Sequence, residues 1–177
     1  MRDTLVLSII GADRPGLVDS LAREVATLGG NWEESRLVRL AGQFAGVVLV
    51  TIETAKTDQL VASLRKLDAA GLGVQVHPTV KPATGTPVSP RYRLEVTGND
   101  RPGIIRDIAR AIAERGINVE ELSSEVASAP MSGEPMFKAR FEMHMPSTVH
   151  LNELRSKLES LGGELMVDLT ALTTAGK

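Results

Sequence analysis

Gly11-Ala12-Asp13-Arg14-Pro15-Gly16 returns downstream as Gly98-Asn99-Asp100-Arg101-Pro102-Gly103. Aligned without a gap, residues 11–34 and 98–121 share 12 of 24 positions, among them Arg23/Arg110, Gly29/Gly116, Asn31/Asn118 and the Glu-Glu pairs at 33–34 and 120–121. Identity at that density marks a duplicated structural unit. Between the halves, Lys81-Pro82-Ala83-Thr84-Gly85-Thr86-Pro87-Val88-Ser89-Pro90 holds three prolines and reads as a semi-rigid linker. The expected organisation is a first domain at 1–80, a linker at 81–90 and a second domain at 91–177.

Outward from the motif, each half parses the same way. Leu5 to Ile10 is a short apolar run, a buried strand. Asp13 then stands as a candidate helix cap, with Pro15 in the first turn where its missing N–H costs nothing. Leu17, Val18, Leu21, Val25 and Leu28 stripe a helix that stops at Gly29-Gly30. Residues 32–40 and 44–53 read as a hairpin joined at Ala41-Gly42-Gln43. A second helix carries Leu60, Val61, Leu64 and Leu67, and a last strand starts at Leu72. The second half repeats this, with Ile104, Ile105, Ile108 and Ile112 on its first helix and Leu151, Leu154, Leu158 and Leu161 on its second. The order β-α-β-β-α-β, twice over, is an α+β fold. It predicts two ferredoxin-like units, each an antiparallel four-stranded sheet with its helices on one face.

Composition removes several classes of function. The chain has 177 residues, 42% apolar and 24% charged, and no cysteine. That excludes disulfide frameworks, thiolate metal sites and a thiol nucleophile together. Twenty Lys and Arg against 22 Asp and Glu leave a net charge of −2, with no basic excess to neutralise phosphates. Trp32, Phe44, Tyr92, Phe137 and Phe141 are the only aromatics and are too dispersed for a base-stacking platform. Direct nucleic-acid binding is not expected, and no targeting or membrane-spanning segment is visible. A cytoplasmic location is the expectation.

The residues around the repeated turn, Gly-x-Asp-Arg-Pro-Gly, then an apolar helix, Gly, and Asn opening the second strand, resemble the ACT domain. Two such units in a short chain are similar to the glycine cleavage system transcriptional repressor family. The resemblance implies a regulatory protein without enzymatic activity or cofactor, homo-oligomeric, that binds a small amino acid and contacts a transcription factor. Glycine is the implied effector if the repressor family applies. The alternative is a free-standing ACT module that regulates a metabolic enzyme in trans. The ligand-binding residues implied are Asp13, Arg14, Pro15, Gly16, Leu17 and Asn31 in the first unit, and Asp100, Arg101, Pro102, Gly103, Ile104 and Asn118 in the second.

The same residues have a physical reading of their own. Gly16 and Gly103 allow close approach of backbone or ligand. The unpaired N–H groups of the helix's first turn suit a carboxylate. Asp13 or Asp100 can accept from an ammonium, and Asn31 and Asn118 bring both donor and acceptor. Equally, Asp and Asn here serve as ordinary cap and turn residues. Arg14 and Arg101, which capping does not require, read as ligand contacts, as solvated charges, or as partners of Glu33 or Glu34.

Other chemistry finds little support. His77, His144 and His150 lack metal-ligand spacing. Glu33-Glu34 and Glu120-Glu121 should point to opposite faces of a strand and so cannot flank one bond. Ser8, Ser20 and Ser35 have no histidine nearby in sequence to activate them. One asymmetry remains. In the second half, Arg91, Arg93 and Glu95 alternate with Tyr92, Leu94 and Val96, a sheet with one wet face. Phe44 to Val50 is apolar on both faces, so the first unit's outer face is expected to be covered by a second copy or a partner.

Overall fold

The computed structural model describes residues 1–79, 89–128, 133–162 and 164–172. The chain divides into two compact units, Met1–Thr84 and Gly85–Lys177. Most of the expected linker, the tip of the second hairpin, Gly163 and the final residues lie outside the described part.

In the first unit, β1 (Arg2–Ala12), α1 (Leu17–Thr27), β2 (Asn31–Leu40), β3 (Gln43–Glu53), α2 (Thr57–Leu64) and β4 (Leu72–Pro78) follow in order. The sheet runs β2-β3-β1-β4 and every neighbouring pair is antiparallel. The second unit repeats this with β5 (Arg91–Asn99), α3 (Ile104–Ala113), β6 (Asn118–Ser128), β7 (Pro135–His144), α4 (Leu151–Glu159) and β8 (Met166–Leu172), in the order β6-β7-β5-β8. These are two four-stranded antiparallel sheets with helices, the α+β ferredoxin-like architecture expected.

Each unit has its own core. Leu5, Leu7 and Ile9 of β1 meet Val48, Val50 and Ile52 of β3 beneath Leu17, Leu21 and Val25 of α1 and Leu60 and Leu64 of α2. Val18, read as part of the α1 stripe, is exposed, so the buried face is the i, i+4, i+8 row alone. The second core gathers Leu94, Val96, Ile104, Ile108, Ile112, Phe137, Phe141, Met143, Leu154 and Leu158. The second helix of the first unit is shorter than its stripe implied. Past Leu64 the chain tightens into a 3-10 segment, Arg65–Ala70, that ends at Gly71 in the left-handed region. The first hairpin is tighter than expected. Leu40 pairs with Gln43, and only Ala41 (φ 48°) and Gly42 (φ 78°) lie between them, the positive-φ pair of a type I′ turn.

The repeated motif folds differently from its expected role. α1 begins at Leu17, not at Pro15, and its cap position is Gly16 with φ 90°, ψ 0° and no side-chain cap bond. Gly103 caps α3 in the same way, φ 82°, ψ 4°. In the second unit the Ile104 N–H donates to the Arg101 carbonyl at 3.3 Å, closing a four-residue turn. Proline second and a left-handed glycine third are the signature of a type II turn. The turn outcompetes the Asp cap because Pro15 and Pro102 hold φ near −65° for its second position. Nothing within 4 Å would meet a side chain at Gly16, so the glycine is there for its backbone angle and not for close approach.

Gly16→Ala should therefore lower stability by about 1–2 kcal/mol through left-handed backbone strain alone. Gly16→Asn should cost distinctly less. Thermal unfolding of the three proteins checks this, and equal effects of the two substitutions would contradict it.

Candidate functional site

Type II turns set the start of both motif helices, and their arginines are committed structurally. Arg14 Nη2 donates to the Ala70 carbonyl at 2.5 Å, at the C-terminal end of the 3-10 segment. Arg101 Nη2 donates to the Leu161 carbonyl at 3.0 Å, just beyond α4. In both units a guanidinium thus ties the strand-to-helix turn to the carbonyl end of the second helical segment, where a cation is favoured. Neither Glu33 nor Glu34 is the partner. Arg101 is held further by Asp107 on α3, Nη1 to Oδ2 at 2.8 Å. Hydrogen bonds from Arg101 and then Arg106 keep the Asp107 carboxyl below the ordinary aspartate range, against the opposing effect of desolvation.

The two carboxylates of the motif differ. Asp13 pairs with Arg39 on β2, Oδ2 to Nε at 2.6 Å. Arg39 was not singled out from the sequence, because its approach to Asp13 is created by the hairpin register. Asp100 is exposed, and its side chain has no hydrogen-bond partner among the described residues. The asparagines differ in parallel. Asn31 Nδ2 donates to Glu33 Oε1 at 2.9 Å, and the Thr51 hydroxyl donates to the same oxygen at 2.8 Å. Those two bonds, Asn31's first, hold the Glu33 carboxyl low. Asn118 is exposed and its amide has no partner among the described residues.

Turn and asparagine do not converge within one unit. Asn31 pairs with Thr51, which lies opposite Thr4 near the start of β1, whereas the turn follows Ala12 at its end. Eight residues of strand separate those levels, roughly 26 Å. Asn118 stands likewise at the level of His144 and Arg91, with Asp100 beyond the far end of β5. Leu17 and Ile104 are buried in the two cores, so their side chains face away from any surface ligand. What each turn exposes is Asp, Pro and Gly, beside the first-turn N–H groups that have no backbone acceptor, which in the second unit are those of Ile105 and Arg106.

Two expectations about other residues need correcting. Ser8 does have a histidine: its Oγ lies 2.9 Å from His77 Nε2 across the β1–β4 ladder. The sequence hid this because the pair spans 69 positions and meets only through sheet register. Among the described residues no carboxylate orients the other ring nitrogen. β1 is hydrogen-bonded on both edges here, so no N–H pair is left to form an oxyanion hole. Strict alternation also fails at the paired glutamates, because register shifts at Trp32/Glu34 and Val119/Glu121 place Glu33 and Glu120 in bulges. The bulge brings Glu120 to Arg91, 2.9 Å, and His144, 2.7 Å, as a structural ion cluster. Among the described residues no group of three or more acidic or histidine side chains is placed to hold a metal, and no helix is long and apolar enough to cross a membrane.

Known proteins place this geometry in a wider context. Residues 3–78 and 91–163 each match the ACT domain family. Over 164 residues the chain is 26% identical to the glycine cleavage system transcriptional repressor of Escherichia coli (strain K12), covering 91% of this chain and 85% of that one. The Shigella flexneri repressor matches equally. Among solved structures, an unknown protein from Galdieria sulphuraria superposes with a TM-score of 0.84 at 25% identity, over 98% of this chain and 100% of that one. A candidate glycine cleavage system transcriptional repressor shares the fold, with a TM-score of 0.70 at 20% identity over 98% and 99%.

The Arg101–Asp107 pair makes a pH prediction. The Asp107 pKa is depressed in the folded state, so its stabilisation is complete above the unfolded value, about 3.9, and is lost as pH falls through the folded value. Asp107→Asn should lower Tm at neutral pH and flatten the further loss of Tm on acidification from about pH 5 to about pH 3. Parallel curves for the variant and the parent would contradict the assignment.

Proposed function

Because the chain belongs to the ACT domain family, we propose that it is an amino-acid-responsive regulator that acts by contact with another protein. The observation that carries this reading is the pair of exposed Asp-Arg-Pro-Gly turns, each set before a helix start in an ACT unit. First-turn N–H groups suit an α-carboxylate and the neighbouring Asp suits an α-ammonium, so one turn offers complements to both ends of an amino acid. The amide of Asn31 or Asn118 lies too far from the turn of its own unit to join it.

The units are unequally prepared for this. Asp13 and Asn31 already have partners, Arg39 and Glu33, that a ligand would have to displace. Asp100 and Asn118 have none among the described residues. The turn of the second unit, with its unpaired Asp100, is therefore the principal effector contact in this reading. Arg14 and Arg101 act as positioning residues that hold the turn against the second helical segment.

The curated relatives are named as transcriptional repressors of the glycine cleavage system. In this reading the partner is a transcription factor, the location is the cytoplasm, and the effector is a small amino acid, glycine if the likeness to the repressors extends that far. A net charge of −2 favours regulation through protein contact over contact with DNA by this chain. The mechanism is linkage: the effector shifts partner affinity only by its differential affinity for two arrangements of the units, typically ~1–3 kcal/mol. Nothing in that scheme asks for catalysis.

Calorimetry against each of the twenty amino acids should find one or a few that bind and raise Tm by mass action. Asp100→Ala should weaken that binding about tenfold or more, as expected for loss of a charge-assisted hydrogen bond. Asp13→Ala should have the smaller effect. A flat screen would overturn the effector reading, and recovery of a metabolic enzyme instead of a transcription factor would move the partner to the alternative class.

A further inference from the structure

The duplication supplies an internal control for the outer sheet faces, those turned away from the helices. On the second unit that face is ionic: Arg140 pairs with Glu95 at 2.8 Å, and Glu142 with Arg91 at 3.0 Å and Arg93 at 3.2 Å. The same fold thus stands with a wet outer face. On the first unit Val47, Leu49 and Val6 stand where the second has Arg140, Glu142 and Arg93, and Ser8 and Thr4 where it has Glu95 and Arg91. Val38, Ala45 and Ile10 line up across β2, β3 and β1, followed by Arg36, Val47 and Ser8, and then by Glu34, Leu49 and Val6. Leu40 extends the row at the hairpin end. Ile10 is 59% exposed, Val38 58%, Leu40 73% and Val47 43%. Isolated exposed aliphatics are ordinary, but a contiguous set across three strands marks an interaction surface.

We infer that this face is a self-association surface, on which a second copy of the chain packs sheet against sheet about a two-fold axis. Three features select a second copy. First, an isologous interface sets a patch against itself, so every net charge meets its like. Here the charged groups come as a matched pair, Arg36–Glu34 at 3.1 Å, and the central polar groups, Ser8 and His77, satisfy each other. The second unit's face also pairs its charges, but burying its three ion pairs against a copy would carry a desolvation cost that the more aliphatic face avoids. Second, the size fits. Three strands of 10–11 residues at ~4.8 Å spacing, with the seven-residue β4 along one edge, give a surface about 19 Å wide that is about 35 Å long and shortens to about 23 Å at β4. With side-chain relief that approaches the ~800 Å² per partner of a standard interface. Third, the side chains are Val, Ile, Leu and Ala with no aromatic anchor. This suits interdigitation of two sheets about 10 Å apart better than capture of a peptide in a pocket.

Sedimentation of the full chain should return a dimer, twice 18.9 kDa. Val38→Lys with Val47→Lys, which sets like charges against each other across the axis, should dissociate it by a hundredfold or more while circular dichroism stays unchanged. Lys138→Glu on the other unit should leave the dimer intact. The cysteine-free background allows a second reading that does not depend on a destabilising charge. Val47→Cys should cross-link to its copy through a bismaleimide about 10 Å long, the sheet-to-sheet spacing. Arg140→Cys, at the corresponding place in the second unit, should not. A monomeric parent, a dimer indifferent to the double lysine variant, or cross-linking of the Arg140→Cys protein alone would overturn the inference.

Discussion

The reversal from the first strand into the first helix constrains everything else in each unit. It is made by a proline and a left-handed glycine, and no other pair of residues sets those backbone angles with so little strain. The turn decides where the helix begins; in the second unit it takes up the Ile104 N–H and leaves those of Ile105 and Arg106 without backbone acceptors among the described residues. It also sends the arginine sideways to the carbonyl end of the second helical segment. That bond, Arg14 to Ala70 and Arg101 to Leu161, joins the elements at one end of the unit. The asparagine lies at the opposite end, because the helix must run back along the strands before the next strand can start. A unit built this way keeps its turn and its asparagine at opposite ends of the sheet.

Much of this was legible in the sequence. The repeat, the alternation of Tyr92 to Val96 and the spacing of Leu17, Leu21 and Val25 are local patterns whose period reports the element directly. The failures share a cause. Asp13 looked like a cap because capping is judged from neighbours, yet its partner is Arg39, delivered by the hairpin. Ser8 and His77 meet only through the β1–β4 register. The alternation rule placed the two glutamates on opposite faces, and a bulge that no local signal announces overrode it. Contacts made by register, and residues displaced by bulges, depend on long-range pairing that one strand's composition does not encode. Arg14 and Arg101, retained in both copies, each bond a carbonyl far along the chain, a partner that local sequence does not name.

The two copies now differ where function would act. One has its aspartate and asparagine internally paired and an aliphatic outer face. The other has both groups without partners among the described residues, and an ionic outer face. The shared fold does not require either choice, since each copy stands without the other's. These are the differences on which the two proposals rest, association at the first unit and effector capture at the turn of the second.

Amide hydrogen exchange tests effector capture by the second unit most directly, comparing the full chain alone with the chain in a mixture of the twenty amino acids. Added protection is expected at the Arg101–Ile104 turn and at the first turn of α3. Unchanged exchange at both, or protection confined to the turn of the first unit, would contradict it.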